Sequence, residues 1–181
     1  MNSYNQKILI VDDIEDNRFT LERRLSRSGY TSISQADCGK KALEFVKKES
    51  FDLILLDLMM PDISGLDVLK ILKSDPKNRG IPVVMVTAAD EIDTTAECIS
   101  HGAEDYITKP VNATLLKARV SACLEKKRFR DSEEHYLSKV EADKKRTQTF
   151  LKQILPEKIA EELNSSGLVR PRKYEDIAIL V

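Results

Sequence analysis

One feature limits the architecture of this chain more than any other. Up to about residue 124, short and nearly continuous runs of Ile, Val and Leu alternate with segments of helical spacing. The runs are "KILIV", "SIS", "LILLDL", "VVMVT" and "DYIT". A strand that is apolar at every position has to be covered on both faces, which requires helices on each side of a parallel sheet. The alternation therefore predicts an α/β fold with a doubly wound parallel sheet. Its first helical segment carries Phe19, Leu21 and Leu25, its second Ala42, Phe45 and Val46, its third Leu66, Leu69 and Leu72. The fourth carries Ile92, Ala96 and Ile99, and a fifth, N-capped by Asn112, carries Leu115, Leu116 and Val120. The second strand is weakly apolar and the first, third and fourth are strongly so, which suits a sheet whose middle is thoroughly covered.

In a sheet of this kind ligands gather outside the carboxyl ends of the strands. Those ends carry Asp12 and Asp13 (first strand), Asp57 (third), Thr87 followed by Ala88 and Ala89 (fourth), and Lys109 followed by Pro110 (fifth). Three adjacent carboxylates raise one another's pKa unless a cation shares them. An all-oxygen donor set selects a hard ion, and Mg²⁺ accepts a few carboxylates together with a phosphate. Thr87 offers a hydroxyl and Lys109 a fixed positive charge, both suited to phosphate oxygens. In that company Asp57 can act as an in-line nucleophile for phosphoryl transfer. Taken singly, each residue has a plainer reading. Asp12 and Asp13 can be helix-cap chemistry, Asp57 a turn residue, Lys109 a solvated side chain and Pro110 a strand terminator. The conjunction, in this order at four strand ends, carries the assignment.

With "KILIVDD", "LILLDLMMPDISGLDVL", "VVMVTA" and "YITKP" in place, residues 5 to about 124 resemble the receiver domain of two-component response regulators. The resemblance implies a flavodoxin-like (βα)₅ fold with strand order 2-1-3-4-5. It implies phosphorylation of Asp57 by a histidine kinase, a phosphotransfer protein or a small phosphodonor. It implies Mg²⁺ held by Asp12, Asp13, Asp57 and the backbone carbonyl of Met59, and a switch pair formed by Thr87 and Tyr106. It further implies a cis Lys109–Pro110 bond, and a role for Met59 and Ala89 in setting phosphate lifetime. Three rivals fit less well. A hydrolase with an aspartyl nucleophile would carry a second Asp two residues after the first, where Met59 stands here. A pseudo-receiver that only binds protein would have lost acceptor or metal positions. A flavin or dinucleotide domain would need a Gly-rich loop after its first strand, where this chain has "DDIEDN".

Beyond residue 124 the texture changes. "ACLEKKRFRDSEEHYLSKVEADKKRTQTFLKQIL" has no Gly or Pro and dense mixed charge. Phe129, Tyr136, Val140, Thr147, Phe150 and Ile154 are spaced by steps summing to sevens, with Glu133 and Asp143 interrupting the seam. This predicts one long helix that continues the fifth and pairs as a coiled coil in a homodimer, against the alternative of a solvated linker. Pro156 then opens a short amphipathic helix bearing Ile159 and Leu163, Gly167 closes it, and "DIAILV" reads as a strand cut off in its middle. This tail resembles the entry to class III adenylate and guanylate cyclases, and a serine/threonine phosphatase output is the runner-up. The expected organisation is a receiver domain at 1–124, a helical linker at 125–155 and the truncated start of an output domain at 156–181. The chain itself is expected to lack enzymatic machinery, and its longer parent to be a cyclase.

The remaining composition excludes other classes. A formal net charge of −1 argues against general nucleic-acid binding. No apolar run approaches the roughly 20 residues that span a bilayer, and "MNSYNQK" has no signal-peptide character, so neither a membrane nor secretion is expected. Cys38, Cys98 and Cys123 are odd in number and widely separated, which fits reduced thiols in a cytoplasmic protein rather than a disulfide or zinc framework.

Overall fold

The computed structural model describes residues 6–88 and 92–154, excepting the side chains of residues 92, 93, 95 and 151–154. Ala89 and residues 155–181, with the expected short helix and "DIAILV" strand, lie outside the described residues. Five strands alternate with five helices: β1 Lys7–Val11, α1 Glu15–Arg27, β2 Ser32–Ala36, α2 Gly39–Lys48, β3 Leu53–Asp57, α3 Gly65–Ser74, β4 Val83–Thr87, α4 Ile92–Ser100, β5 Asp105–Thr108 and α5 Ala113–Ile154. All strand pairs are parallel and the order is β2-β1-β3-β4-β5, the flavodoxin-like order.

Because successive side chains on a strand point to opposite faces, each apolar run feeds two cores. Leu9, Val11, Ile54, Leu56, Val83 and Met85 pack with Ala42, Val46, Val68, Leu69, Leu72 and Cys98 of α2, α3 and α4. Ile8, Ile10, Leu53, Leu55, Val84, Val86 and Ile107 pack with Leu21, Leu25, Leu116, Val120, Cys123 and Leu124 of α1 and α5. Every residue of β3 and β4 is buried. Full burial of one such aliphatic side chain contributes about 1.5–3 kcal/mol, so the centre of the sheet is a stiff platform for whatever its strand ends present.

Two helical faces differ from the sequence expectation. Phe19 is exposed and lies under the Arg23 guanidinium, 5.9 Å from its ring centroid. Phe19 and Leu21 are two positions apart, which at 3.6 residues per turn puts them on opposite sides of α1. On α4, Ala96 and Ile99 face outward, and among its described side chains Cys98 is the one in the core.

The chain divides into two compact units, Met1–Asp131 and Ser132–Val181. Within the first, α5 remains attached past residue 124: Lys126 and Arg130 pair with Glu104, and Lys127 with Asp52. Within the second, Tyr136, Leu137, Val140 and Phe150 of α5 are exposed, as is Phe129 in the first.

Candidate functional site

The site forms where β1, β3, β4 and β5 end together. Asp57 closes β3 at 4% exposure, and Asp12 follows β1 fully buried. Lys109, directly beyond β5, bridges them: its Nζ donates to Asp57 Oδ1 at 2.6 Å and to Asp12 Oδ2 at 3.0 Å. Asp13 is exposed, yet one oxygen from each of Asp12, Asp13 and Asp57 lies within 4.8 Å of the others. Burial pushes the Asp57 carboxyl up from an ordinary 3.8 to about 6, the charges of Asp12 and Asp13 add to the rise, and Lys109 opposes it. For Lys109, burial disfavours the charge, but its bonds to Asp57 and Asp12 outweigh this and hold its pKa above the usual lysine value. Three carboxylates with a single ammonium form a donor set that fits a hard divalent cation.

Thr87 ends β4 fully buried, and among the described residues its Oγ1 has no hydrogen-bond partner. Its carbonyl accepts from the Lys109 N–H at 2.7 Å, tying the β4 and β5 ends together. The Lys109–Pro110 peptide bond is cis. Tyr106 of β5 is 39% exposed, its ring on the outer surface. Met59 stands two residues past Asp57 with its side chain outward. Of the residues singled out in the sequence, Asp12, Asp13, Asp57 and Lys109 are drawn into one cluster.

Several supporting groups were not anticipated. Asn17 Nδ2 donates to both carboxylate oxygens of Asp12 at 3.0 Å. Arg18 Nη1 donates to the carbonyls of Asp12 and Asp13 at 2.7 and 3.0 Å, fixing the loop that presents both carboxylates. Their spacing, five and six residues after Asp12, returns them to the loop from the first turn of α1, a geometry that an i-to-i+5 search in the sequence could have found. Gly65 is required by close approach: a Cβ there would lie 2.0 Å from the carbonyl oxygen of Asp57.

A flavodoxin-like sheet with a lysine-bridged acidic pocket at its carboxyl edge defines the class as a doubly wound α/β module with a charged site at its strand ends. The comparisons identify it further. The family model for the response regulator receiver domain matches residues 8–121, and the chain belongs to that family, the receiver domain of two-component systems. It is 43% identical over 114 residues to the response regulator PleD of Caulobacter vibrioides, covering 63% of this chain and 25% of PleD. It is 35% identical over 122 residues to the chemotaxis protein CheY-3 of Vibrio cholerae, covering 67% of this chain and 94% of CheY-3. A Vibrio cholerae protein named as a probable cyclic di-GMP phosphodiesterase is 40% identical over 124 residues, 68% of this chain and 28% of that one. Among solved structures, the receiver domain of NtrX from Brucella abortus matches with a TM-score of 0.62 at 30% identity, covering 66% of this chain and 98% of that domain. The chain thus spans about a quarter of the length of PleD.

Proposed function

We propose that this chain is a phosphorylation-controlled switch in which Asp57 accepts a phosphoryl group from a histidine kinase or phosphotransfer protein. The observation that carries this is Lys109, held between Asp57 and Asp12 in a buried pocket that Asp13 completes. With its carboxyl at about 6, Asp57 is largely ionised at neutral pH and available as a nucleophile. An Asp57 oxygen attacks phosphorus in line, the phosphorus–nitrogen bond of the donor histidine breaks, and the nitrogen keeps the electron pair. Asp12, Asp13, Asp57 and the Met59 carbonyl would hold Mg²⁺, which when bound offsets charge on the phosphoryl oxygens. Lys109 steadies the same oxygens, and the buried Thr87 hydroxyl supplies a donor to the product. Tyr106 would follow Thr87 inward, passing the change to the β4–α4 and β5 surface. Ile14, Phe19 and Met59, exposed on the β1–α1 loop, α1 and the β3–α3 loop, suit contact with an apolar surface of a phosphodonor protein.

The exposed Phe129, Tyr136, Val140 and Phe150 on α5 favour pairing with a second copy as a coiled coil, so that phosphorylation alters how two long helices meet. The sequence of residues 156–181 favours a class III nucleotide cyclase downstream, synthesising cAMP or cGMP, with a phosphatase as the alternative output. Among the described residues no helix is long and apolar enough to cross a membrane.

The test is intact mass after incubation with acetyl phosphate, with and without Mg²⁺, on the wild-type chain and on Asp57→Asn. A Mg²⁺-dependent phosphate adduct on the wild type alone is expected. No adduct under any condition would leave a protein-binding pseudo-receiver as the better reading.

A further inference from the structure

The loop from β3 to α3 leaves the acidic pocket at Leu58 and returns at Gly65, whose N–H donates to the Leu58 carbonyl at 2.8 Å. Between these anchors run Met59, Met60, Pro61, Asp62, Ile63 and Ser64. The Asp62 carboxylate reaches across to another element: its Oδ1 accepts from the Gly39 N–H at 3.1 Å and its Oδ2 from the Lys40 N–H at 3.0 Å. These are first-turn amides of α2, the groups that a helix leaves without intrahelical partners. The residue in the N-cap position, Cys38, has extended backbone and makes no side-chain cap bond. Asp62 therefore supplies from a distant loop the acceptor that an N-cap normally supplies locally.

The junction is also tight. A Cβ on Gly39 would lie 2.8 Å from Val68 Cγ2 and 3.3 Å from Ile63 Cβ, so α2 begins directly against the returning limb of this loop. Burial raises the Asp62 carboxyl, but the amides of Lys40, Ile63 and Gly39 together outweigh it and hold it down at about 2. The Asp62 carboxylate is ionised across the physiological range, so the tie does not depend on pH there.

We propose that Asp62 is a positioning residue for the cation site: by anchoring the β3–α3 loop to α2, it fixes where the Met59 carbonyl is presented. The inference rests on the Mg²⁺ site described above. Without the Asp62 carboxylate, the stretch from Met59 to Pro61 keeps its ends and the packing of Met60 on the core but loses its hydrogen-bonded tie to α2, and the one backbone ligand of the cation loses its fixed place while the three carboxylates keep theirs.

Calorimetric titration of Mg²⁺ into the full chain tests this, with thermal unfolding in chelating buffer alongside. Asp62→Ala should weaken Mg²⁺ binding about tenfold or more, the range seen when groups that orient metal ligands are removed. The same change also uncaps α2, so a second variant separates the two effects. Cys38→Ser combined with Asp62→Ala restores a cap hydroxyl to α2 without rejoining the loop. This double variant should recover Tm but not Mg²⁺ affinity. Recovery of both, or unchanged Mg²⁺ affinity in Asp62→Ala, overturns the proposal and leaves Asp62 as a helix cap only. If Asp62→Ala does not fold, Asp62→Asn, which keeps one acceptor oxygen, serves for the same comparison with a smaller expected drop. Absence of Mg²⁺ binding to the wild type would overturn the cation site itself, a result distinct from either.

Discussion

Replacing Asp57 with Asn in chelating buffer should stabilise the fold, and by an amount that depends on pH. Asp57 is 4% exposed, and burial, with the charges of Asp12 and Asp13, pushes its carboxyl up to about 6 against the partial relief from Lys109. In the unfolded chain it titrates near ~3.9. The folded state thus binds the proton more tightly, and between those values stability falls as pH rises. Below the unfolded pKa the protonated acid carries no penalty. Above the folded pKa the penalty is complete. At 1.36 kcal/mol per unit, Asp57→Asn would relieve about 1 kcal/mol at pH 4.5 and about 3 kcal/mol at pH 8. Fixed differences between Asn and Asp cancel in that comparison, leaving a change of about 2 kcal/mol with pH. The chain has no Trp, so urea unfolding is best followed by far-UV circular dichroism, with equal m-values as the check on two-state behaviour. A stability difference that stays flat across this range, or a variant less stable than wild type at pH 8, would refute the reasoning. Mg²⁺ provides an internal control. At ~100 times its dissociation constant it should stabilise the wild type by about 2.7 kcal/mol, erasing most of the variant's advantage.

Three further outcomes are expected. Gly65→Ala places a methyl 2.0 Å from the Asp57 carbonyl oxygen, so urea unfolding should show a loss of about 3 kcal/mol or more, and a change within ~0.5 kcal/mol would contradict the packing. Glu104→Gln removes the partner of Lys126 and Arg130. Burial raises the Glu104 carboxyl, but Lys126 and Arg130 outweigh it and keep it low, so its contribution is present above its unfolded pKa and lost as pH falls. The variant should cost about 1–2 kcal/mol at neutral pH, converge on wild type in acid, and speed amide exchange in α5 around residues 125–131. In the proposed α5 pairing Asp143→Leu removes a carboxylate from the seam and should tighten self-association in sedimentation equilibrium, whereas an unchanged association constant would remove the seam as the pairing surface.

The sheet was legible because β3 and β4 are apolar at nearly every position, a pattern with few structural solutions, and because each strand end carries its own chemical group. Phe19 and the outward face of α4 were not legible from spacing alone. A set such as 92, 96 and 99 satisfies helical periodicity whether it faces the core or solvent, and the buried Cys98 decides the orientation. Asp62 was beyond reach for another reason. Its partners, Gly39 and Lys40, lie 23 and 22 positions away, and they engage through backbone amides that leave no trace in residue identity. Glu104 with Lys126 and Arg130 is similar, since in a chain with this much charge no ion pair stands out until the helices are placed.

The contacts of Lys109 have a consequence for electroneutrality. Three carboxylates and one ammonium meet in the pocket, leaving it two negative charges in excess. One divalent cation cancels that excess, and a monovalent one leaves half of it. In the proposed reaction, phosphorylation would turn a singly charged carboxylate into a doubly charged acyl phosphate, and the balanced pocket would become negative by one. Among buried walls a single unbalanced charge is felt far more strongly than in water. The buried hydroxyl of Thr87, without a hydrogen-bond partner among the described residues, is a donor for which the neutral pocket has no use. In that proposed reaction, one added negative charge would give it a partner.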